Sequence, residues 1–469
     1  MSLFVFGKGP LGSIETETKK PVTTNRKLLF MAVVLFVFSS FAFSSTVAVG
    51  TCTNFPYYSS IQLAVNSVPA GSTIKVCPGV YAEQVLITKN LTLTGVAANG
   101  LSGAAAAGMN NPVITSPSGG VLANANDLYN SFPIAAQIAV VTPAGASSPI
   151  KVTIEYLAVD GSNNQLSGCG TNLVGIYYQN ASGTVNQVVT RNQELDPSDF
   201  GCQDGLAIFV ESGYGSGGSA VVTIENSSVH DYDKNGITVD GSGTVATVTG
   251  NYVVGVGATA LTAQNGIQVS DGAAGSVKNN TVTDDVYINP PDCGTSCYGS
   301  SGILVYDSGA TSGSPLTISG NTISNTQLAI FAYGDSSGKA DYNNVSSNRI
   351  TGTLAAGTFL DDGIDLCSNN NTATSNTVFN SSGSGIHIDS SCTQSTGSSG
   401  NNTVVTKNRI NEACAGVLNG SGTGSSQSGN ITYNVVLTSL PGDSCPTGSP
   451  NADVSTRKAA KRRPLPLRH

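Results

Sequence analysis

The sequence predicts an all-β solenoid, a chain wound into stacked β-coils and closed at its start by a short helix. Two interleaved phrases predict it. Gly-apolar-x-apolar recurs as GIYY at Gly175, GLAI at Gly205, GITV at Gly236, GIQV at Gly266, GILV at Gly302, AIFA at Ala329, GIDL at Gly363, GIHI at Gly385 and GVLN at Gly416, at intervals of 22 to 36 residues. Asn-x-apolar follows at Asn251, Asn280, Asn321, Asn348, Asn376, Asn408 and Asn434. Both phrases are short, β-branched and bounded by Gly, Asn and Ser, which suits strands and not helices. A fixed unit of this kind repeats in solenoids, where each apolar residue stacks on its counterpart one coil away. The asparagines are expected to form a ladder at a turn, with their amides bonded along the axis. Composition agrees: 55 glycines, no tryptophan and only 11% charged residues.

The elements follow in order. Residues 1–48 carry an eleven-residue apolar run, LLFMAVVLFVF, behind Arg26 and Lys27, then small residues around Ala48. This reads as a secretory signal cut near Ala48, with an uncut membrane anchor over residues 28–48 as the alternative. The expected location is secreted or in the cell envelope, with membrane contact only through this segment if it stays uncut.

Residues 49–97 form an N-terminal cap and the first strands. In SSIQLAVNSVPAG, Ile61, Ala64, Val65 and Val68 share a helical face, opened by Ser59 or Ser60 and closed near Pro69 and Gly71. Residues 98–150, with GAAAAGMNNP, read as expanded loops among early coils. The repeat fills residues 151–445, and residues 446–469 read as a disordered basic tail.

Ten cysteines, all after residue 50 and without a C-x-x-C pair, fit an oxidising compartment. Sequence order suggests the pairs Cys52 with Cys77, Cys169 with Cys202, Cys293 with Cys297, Cys367 with Cys392 and Cys414 with Cys445. Over residues 49–456 there are 10 Lys and Arg against 27 Asp and Glu. Such a body repels nucleic acid and other polyanions unless a cation bridges them. The chain reads as a monomer with polysaccharide as its partner.

From about Ile150 to Leu440 the Gly-Ile-x-Val and Asn-x-Val phrases resemble those of the pectate-lyase-like superfamily, which implies a single-stranded right-handed parallel β-helix. The phrase Gly79, Tyr81, Glu83 resembles the opening of pectin methylesterases, and its reading here is structural. Gln203, Asp204 and Leu206 are similar to a second phrase of that family, whose remaining motifs are absent. Asp196, Pro197, Ser198 and Asp199 resemble the Asp-Pro-His-Asp of alginate epimerases without the histidine. Asp361 and Asp362 resemble the Asp-Asp pair of polygalacturonases. In place of that family's other motifs stand KADYNNV, GSG at Gly383 to Gly385, and CAGVLNG.

Side chains alternate in and out along a strand. Aligned on the Gly-Ile phrases, the first outward position reads Tyr177, Ala207, Thr238, Gln268, Leu304, Phe331, Asp365, His387 and Leu418. The second reads Gln179, Phe209, Asp240, Ser270, Tyr306, Tyr333, Cys367 and Asp389. Leu304, Tyr306, Phe331 and Tyr333 are thus expected to form an exposed aromatic patch, with Tyr306, Phe331 and Tyr333 as the sugar-binding platform beside Asp365, His387 and Asp389. One coil and two residues of offset put Asp365 and Asp389 roughly 8 Å apart, within the acid-to-base separation of an inverting glycosidase. Asp365 and Asp389 are then the acid and base, Asp361 and Asp362 their charged support, and His387 a group that tunes them. Asp-Gly is equally good turn chemistry, so Asp361 and Asp362 read as corner residues without any catalytic part.

The function expected is action on, or binding of, extracellular polysaccharide along this face, by hydrolysis or elimination if catalytic. The alternative is a non-catalytic surface or adhesion module. No cofactor is required, Ca²⁺ being the one candidate that the acidic body suggests.

Overall fold

The structure is a computed structural model that describes residues 44–96, 111–202, 204–288, 298–353, 362–420, 422–441 and 463–464. The apolar run at residues 28–38, Asp361, Cys293, Cys297, Cys445 and nearly all of the basic tail lie outside the described residues.

Each coil contributes a strand to each of three parallel ribbons. The first ribbon is a 14-stranded sheet running from Tyr57–Tyr58 and Thr46–Val49 to Ser426–Ser428. The second carries the Asn-x-apolar strands and the third the Gly-Ile strands. These two are joined in one 23-stranded network, because the long strand Arg409–Asn419 pairs with both Thr377–Ser381 and Ile386–Ile388. Parallel strands require the chain to cross back between pairings, and right-handed crossovers satisfy the strand twist.

The core is a set of stacks. In the third ribbon Ile208, Ile237, Ile267, Ile303, Ile330, Ile364 and Ile386 sit in register, each above the next. In the second, Val253, Val282, Ile323, Ile350, Val378 and Ile410 do the same. A β-branched side chain fills a pleat best against another of its own shape.

The corner between the first and second ribbons shows why asparagine recurs. The residue before each rung turns the chain with a positive φ: Gly250 at 69°, Asn279 at 54°, Gly320 at 67°, Ser347 at 58° and Ser375 at 57°. The asparagine that follows accepts at Oδ1 from the backbone N–H and the amide of the rung one coil earlier. Its own amide bonds the next rung and a first-ribbon carbonyl, as Asn321 does to Asn348 at 2.9 Å and to Val277 O at 3.0 Å. The ladder runs through Asn251, Asn280, Asn321, Asn348, Asn376 and Asn408, and its last rung is Asn430 rather than Asn434. Asn434 lies four residues past that corner, exposed, with its amide on Asn411.

The helix spans Ile61–Ser67 and buries Ile61, Ala64 and Val65 against the first coils, with Val68 also in the core. Ser60 is its N-cap, accepting from Leu63 N at 3.1 Å. The Gly79–Tyr81–Glu83 phrase is structural: Tyr81 donates to Cys77 O at 2.8 Å, and the Glu83 carboxylate accepts from Ile61 N at 2.8 Å and Gln62 N at 2.9 Å. A carboxylate over the first turn satisfies orphan donors and the helix dipole together. Glu83→Ala is therefore expected to lower the unfolding free energy by about 1–2 kcal/mol in denaturant titration.

Two boundaries move. Val47, Ala48 and Val49 are buried in the strand Thr46–Val49, which pairs with Ser72–Val76, so the boundary at Ala48 runs through the first coil. The solenoid also starts before residue 151. Pro112–Thr115 belongs to the second ribbon and Pro133–Val141 to the third, and neither carries the Gly-Ile phrase that marks later coils. Three disulfides form as sequence order suggests: Cys52–Cys77, Cys169–Cys202 and Cys367–Cys392. Cys414 is also disulfide-bonded.

Candidate functional site

The outward column of the third ribbon is Tyr177, Phe209, Thr238, Gln268, Leu304, Phe331, Asp365, His387 and Leu418, read from strand register. Phe209 replaces the expected Ala207, because Ile208 and not Leu206 stacks on Ile237. GLAI starts two residues too early, so each side chain keeps its face but moves one place along the outward column.

The aromatic patch is not exposed. Leu304 is 0% and Phe331 3% exposed, and they pack with Leu328, Cys367 and Cys392. The Cys367–Cys392 disulfide holds the segment after Asp389 against this column, which covers it. Tyr306 and Tyr333 remain half-buried, their rings stacked at 5.8 Å and 15°, and the Tyr306 hydroxyl donates to Asp335 at 2.7 Å. Of the expected platform, only these two rings reach its edge.

Beyond the rings the column turns acidic. Asp362 precedes Gly363 at the corner, and Asp365 follows on the strand Ile364–Cys367. Gly363 permits this approach: a Cβ there would lie 2.6 Å from Gly385 O and from Val378 Cγ1. His387, on Ile386–Ile388, is the register neighbour of Asp365. One ligand-type atom from each of Asp362, Asp365 and His387 lies within 4.8 Å of the other two. Asp365 is 8% and His387 5% exposed.

Asp362 organises the group. Its Oδ1 accepts from Ser384 N at 2.6 Å and Ser384 Oγ at 2.7 Å, and its Oδ2 faces His387 Nδ1 at 3.2 Å. A carboxylate in this position fixes the imidazole ring and its tautomer. Asp389 stands apart from the three. The strand ends at Ile388, and Asp389 turns to accept from Ser391 N at 2.7 Å, its carboxylate within 4.8 Å of both Cys367 and Cys392 sulfurs. Asp362, Asp365 and His387 are thus the three that converge, and Asp389 is bonded beside the Cys367–Cys392 link.

Acidic groups that sequence reasoning missed lie in earlier coils. The register slip hid Glu211, which neighbours Asp240 in the second outward column. Tyr177 donates to Glu211, as does Leu128 N at 2.9 Å, while Asp240 accepts from Tyr214 and Ser270, each at 2.8 Å. Burial, with the Asp127 and Asp240 charges adding, pushes the Glu211 carboxyl well above its usual range.

Asp204, Asp233 and Lys234 are buried at the third-ribbon corner. Burial pushes Asp204 up to about 7 and, with Glu194 and Asp204 adding, Asp233 up to about 9. It pushes Lys234 down to about 7, and the ammonium nitrogen donates to Ala263 O. The epimerase-like phrase is a braced loop: Asp196 accepts from Ser198, Asp199 from Gly168 N at 2.8 Å, and Cys169–Cys202 pins the 3-10 turn Pro197–Cys202.

The family described as "right handed beta helix region" matches residues 263–432. Among solved structures, a lacto-N-biosidase from Eubacterium ramulus is similar with a TM-score of 0.51 at 12% identity, over 83% of this chain and 68% of that one. PfbA, a surface adhesin of Streptococcus pneumoniae, is similar with a TM-score of 0.50 at 14% identity, over 81% of this chain and 87% of that one. No curated protein sequence matches. At these identities the likeness is one of fold. Stacked parallel ribbons, an unbroken asparagine ladder and the matching family region lead to one conclusion: the chain is a right-handed parallel β-helix protein.

Proposed function

We propose that this β-helix is an exported protein that hydrolyses polysaccharide at the third-ribbon face formed by Asp362, Asp365 and His387. The observation that carries the reading is the convergence of these three side chains from two neighbouring coils, within 4.8 Å of one another. Glycosidic hydrolysis needs one group to protonate the leaving oxygen and another to activate water. Asp365 and His387 fill these roles side by side, and Asp362 holds the imidazole through its Nδ1. Tyr306 and Tyr333 offer ring faces to a sugar on the approaching strand. The excess of acid over the body favours neutral glycans over polyuronates. Disulfides and the apolar leader support export, with processing before Thr46 so that the first coil survives.

The near-complete burial of Asp365 and His387 favours a second reading, a surface module that binds glycan without turning it over. One experiment separates the two. Mature protein is incubated with a panel of neutral and uronate polysaccharides while reducing ends and unsaturated ends are followed. New reducing ends on a neutral glycan support the hydrolase, and unsaturated ends would make it a lyase. Retention on the glycan without either product would leave the binding module.

A further inference from the structure

We propose that Asp362, Asp365 and His387 bind one divalent transition cation of the Zn²⁺ class. The site uses the residues of the proposed hydrolase, whose acid and base roles belong to the metal-free protein because a ligated carboxylate or imidazole cannot carry that proton; the geometry and donor chemistry of the three side chains point to the cation independently of glycan turnover.

Donors held about 2.0–2.2 Å from one tetrahedral ion lie roughly 3–4 Å from each other. Each of the three side chains places one donor within 4.8 Å of the others, so a small inward movement brings all three into one coordination sphere. They arrive from fixed places. Asp362 and Asp365 flank Gly363 in one coil, and His387 stands opposite Asp365 on the next, so stacking of the coils itself assembles the set.

The donor types choose the ion. Ca²⁺ takes oxygen ligands throughout, whereas two carboxylates with an imidazole suit a borderline cation. The Ca²⁺ expected from the acidity of the chain is therefore the wrong ion for this place.

The outer contacts have the form such sites need. Ser384 donates from both N and Oγ to Asp362 Oδ1, which leaves Oδ2 turned toward the imidazole. Ligating carboxylates are usually oriented by such donors, and losing one weakens metal affinity about 10–100-fold.

The test uses the full mature chain, stripped with chelator and dialysed, then titrated with Co²⁺ by visible absorption and with Zn²⁺ by calorimetry. Stoichiometric binding is expected, with ligand-field bands of moderate intensity. Asp365→Asn and His387→Ala are expected to abolish the bands, Ser384→Ala to weaken Zn²⁺ binding about 10–100-fold, and Asp389→Asn to leave it unchanged. Circular dichroism confirms that each variant folds, and Ser384→Ala, which keeps all three ligands, carries the test if a ligand variant does not.

Bands that persist in His387→Ala, or wild type that binds Zn²⁺ no better than that variant, would overturn the inference. Glycan turnover by stripped protein that also fails to bind Zn²⁺ overturns it while leaving the hydrolase standing. Stoichiometric Zn²⁺ binding with no turnover by the stripped protein supports the cation site and removes the hydrolase.

Discussion

Asn348→Ala is expected to lower the unfolding free energy by about 3 kcal/mol or more. Asn348 is 1% exposed and makes six hydrogen bonds, one of them accepted by its carbonyl from Thr377 N at 2.8 Å. It accepts from the backbone and amide nitrogens of Asn321 at 3.0 and 2.9 Å. It donates to Asn376 Oδ1 from both of its own nitrogens at 3.0 Å, and to Ile318 O at 2.9 Å. Alanine keeps only the two backbone bonds, to Asn376 Oδ1 and from Thr377 N, leaving Asn321 N and Ile318 O short of partners in a place that water does not reach. Each buried orphan costs about 1–3 kcal/mol. Asn434→Ala is the matched control. It removes an asparagine in the same sequence phrase but outside the ladder, so a loss below about 1 kcal/mol is expected. Equal losses in the two variants, measured in urea, would deny the ladder its structural part.

Stability is expected to rise, not fall, as pH drops from 7 toward 5. Asp204 and Asp233 have folded pKa values raised to about 7 and about 9, above those of the unfolded chain. Their contribution is fully present below about 4 and is lost as pH climbs through the folded values. Lys234, lowered to about 7, has the opposite window. Its contribution is present above about 10.4 and lost as pH falls to about 7, below which it no longer changes. Between pH 7 and pH 5 the two acids outweigh Lys234, Glu211 acts in their direction, and a gain of about 4 kcal/mol or more is expected. Asp204→Asn with Asp233→Asn should raise stability at pH 7 and make the profile less steep, with Glu211 still contributing. A wild-type melting temperature that falls over this interval would show that both carboxyls are ionised in the fold.

Much of the fold was legible because a solenoid writes its period into the chain. The isoleucines of the Gly-Ile phrases and the ladder asparagines from Asn251 to Asn408 recur as the stacking requires, and sequence order gives the pairs Cys52–Cys77, Cys169–Cys202 and Cys367–Cys392. Coils without the phrase were hidden: Pro112–Thr115 and Pro133–Val141 stack correctly but carry other residues. So was exact register where a phrase has an apolar neighbour on both sides, as at Leu206. Inward and outward were legible, but buried and exposed were not. Phe331 points away from the coil interior and is still covered, because the Cys367–Cys392 link brings a distant segment over it. For the same reason Asp389 belongs to that link, while Ser384, an unremarkable residue in a GSG turn, becomes the anchor of Asp362.

The most direct test of the functional reading compares Asp365→Asn with Asp389→Asn on the polysaccharide that wild type turns over fastest, with reducing ends as the readout. The account expects Asp365→Asn to lose at least about 100-fold in turnover, the range for a lost general acid or base, and Asp389→Asn to keep most of it. Loss in Asp389→Asn with activity kept in Asp365→Asn, or no turnover by wild type on any glycan, would contradict it.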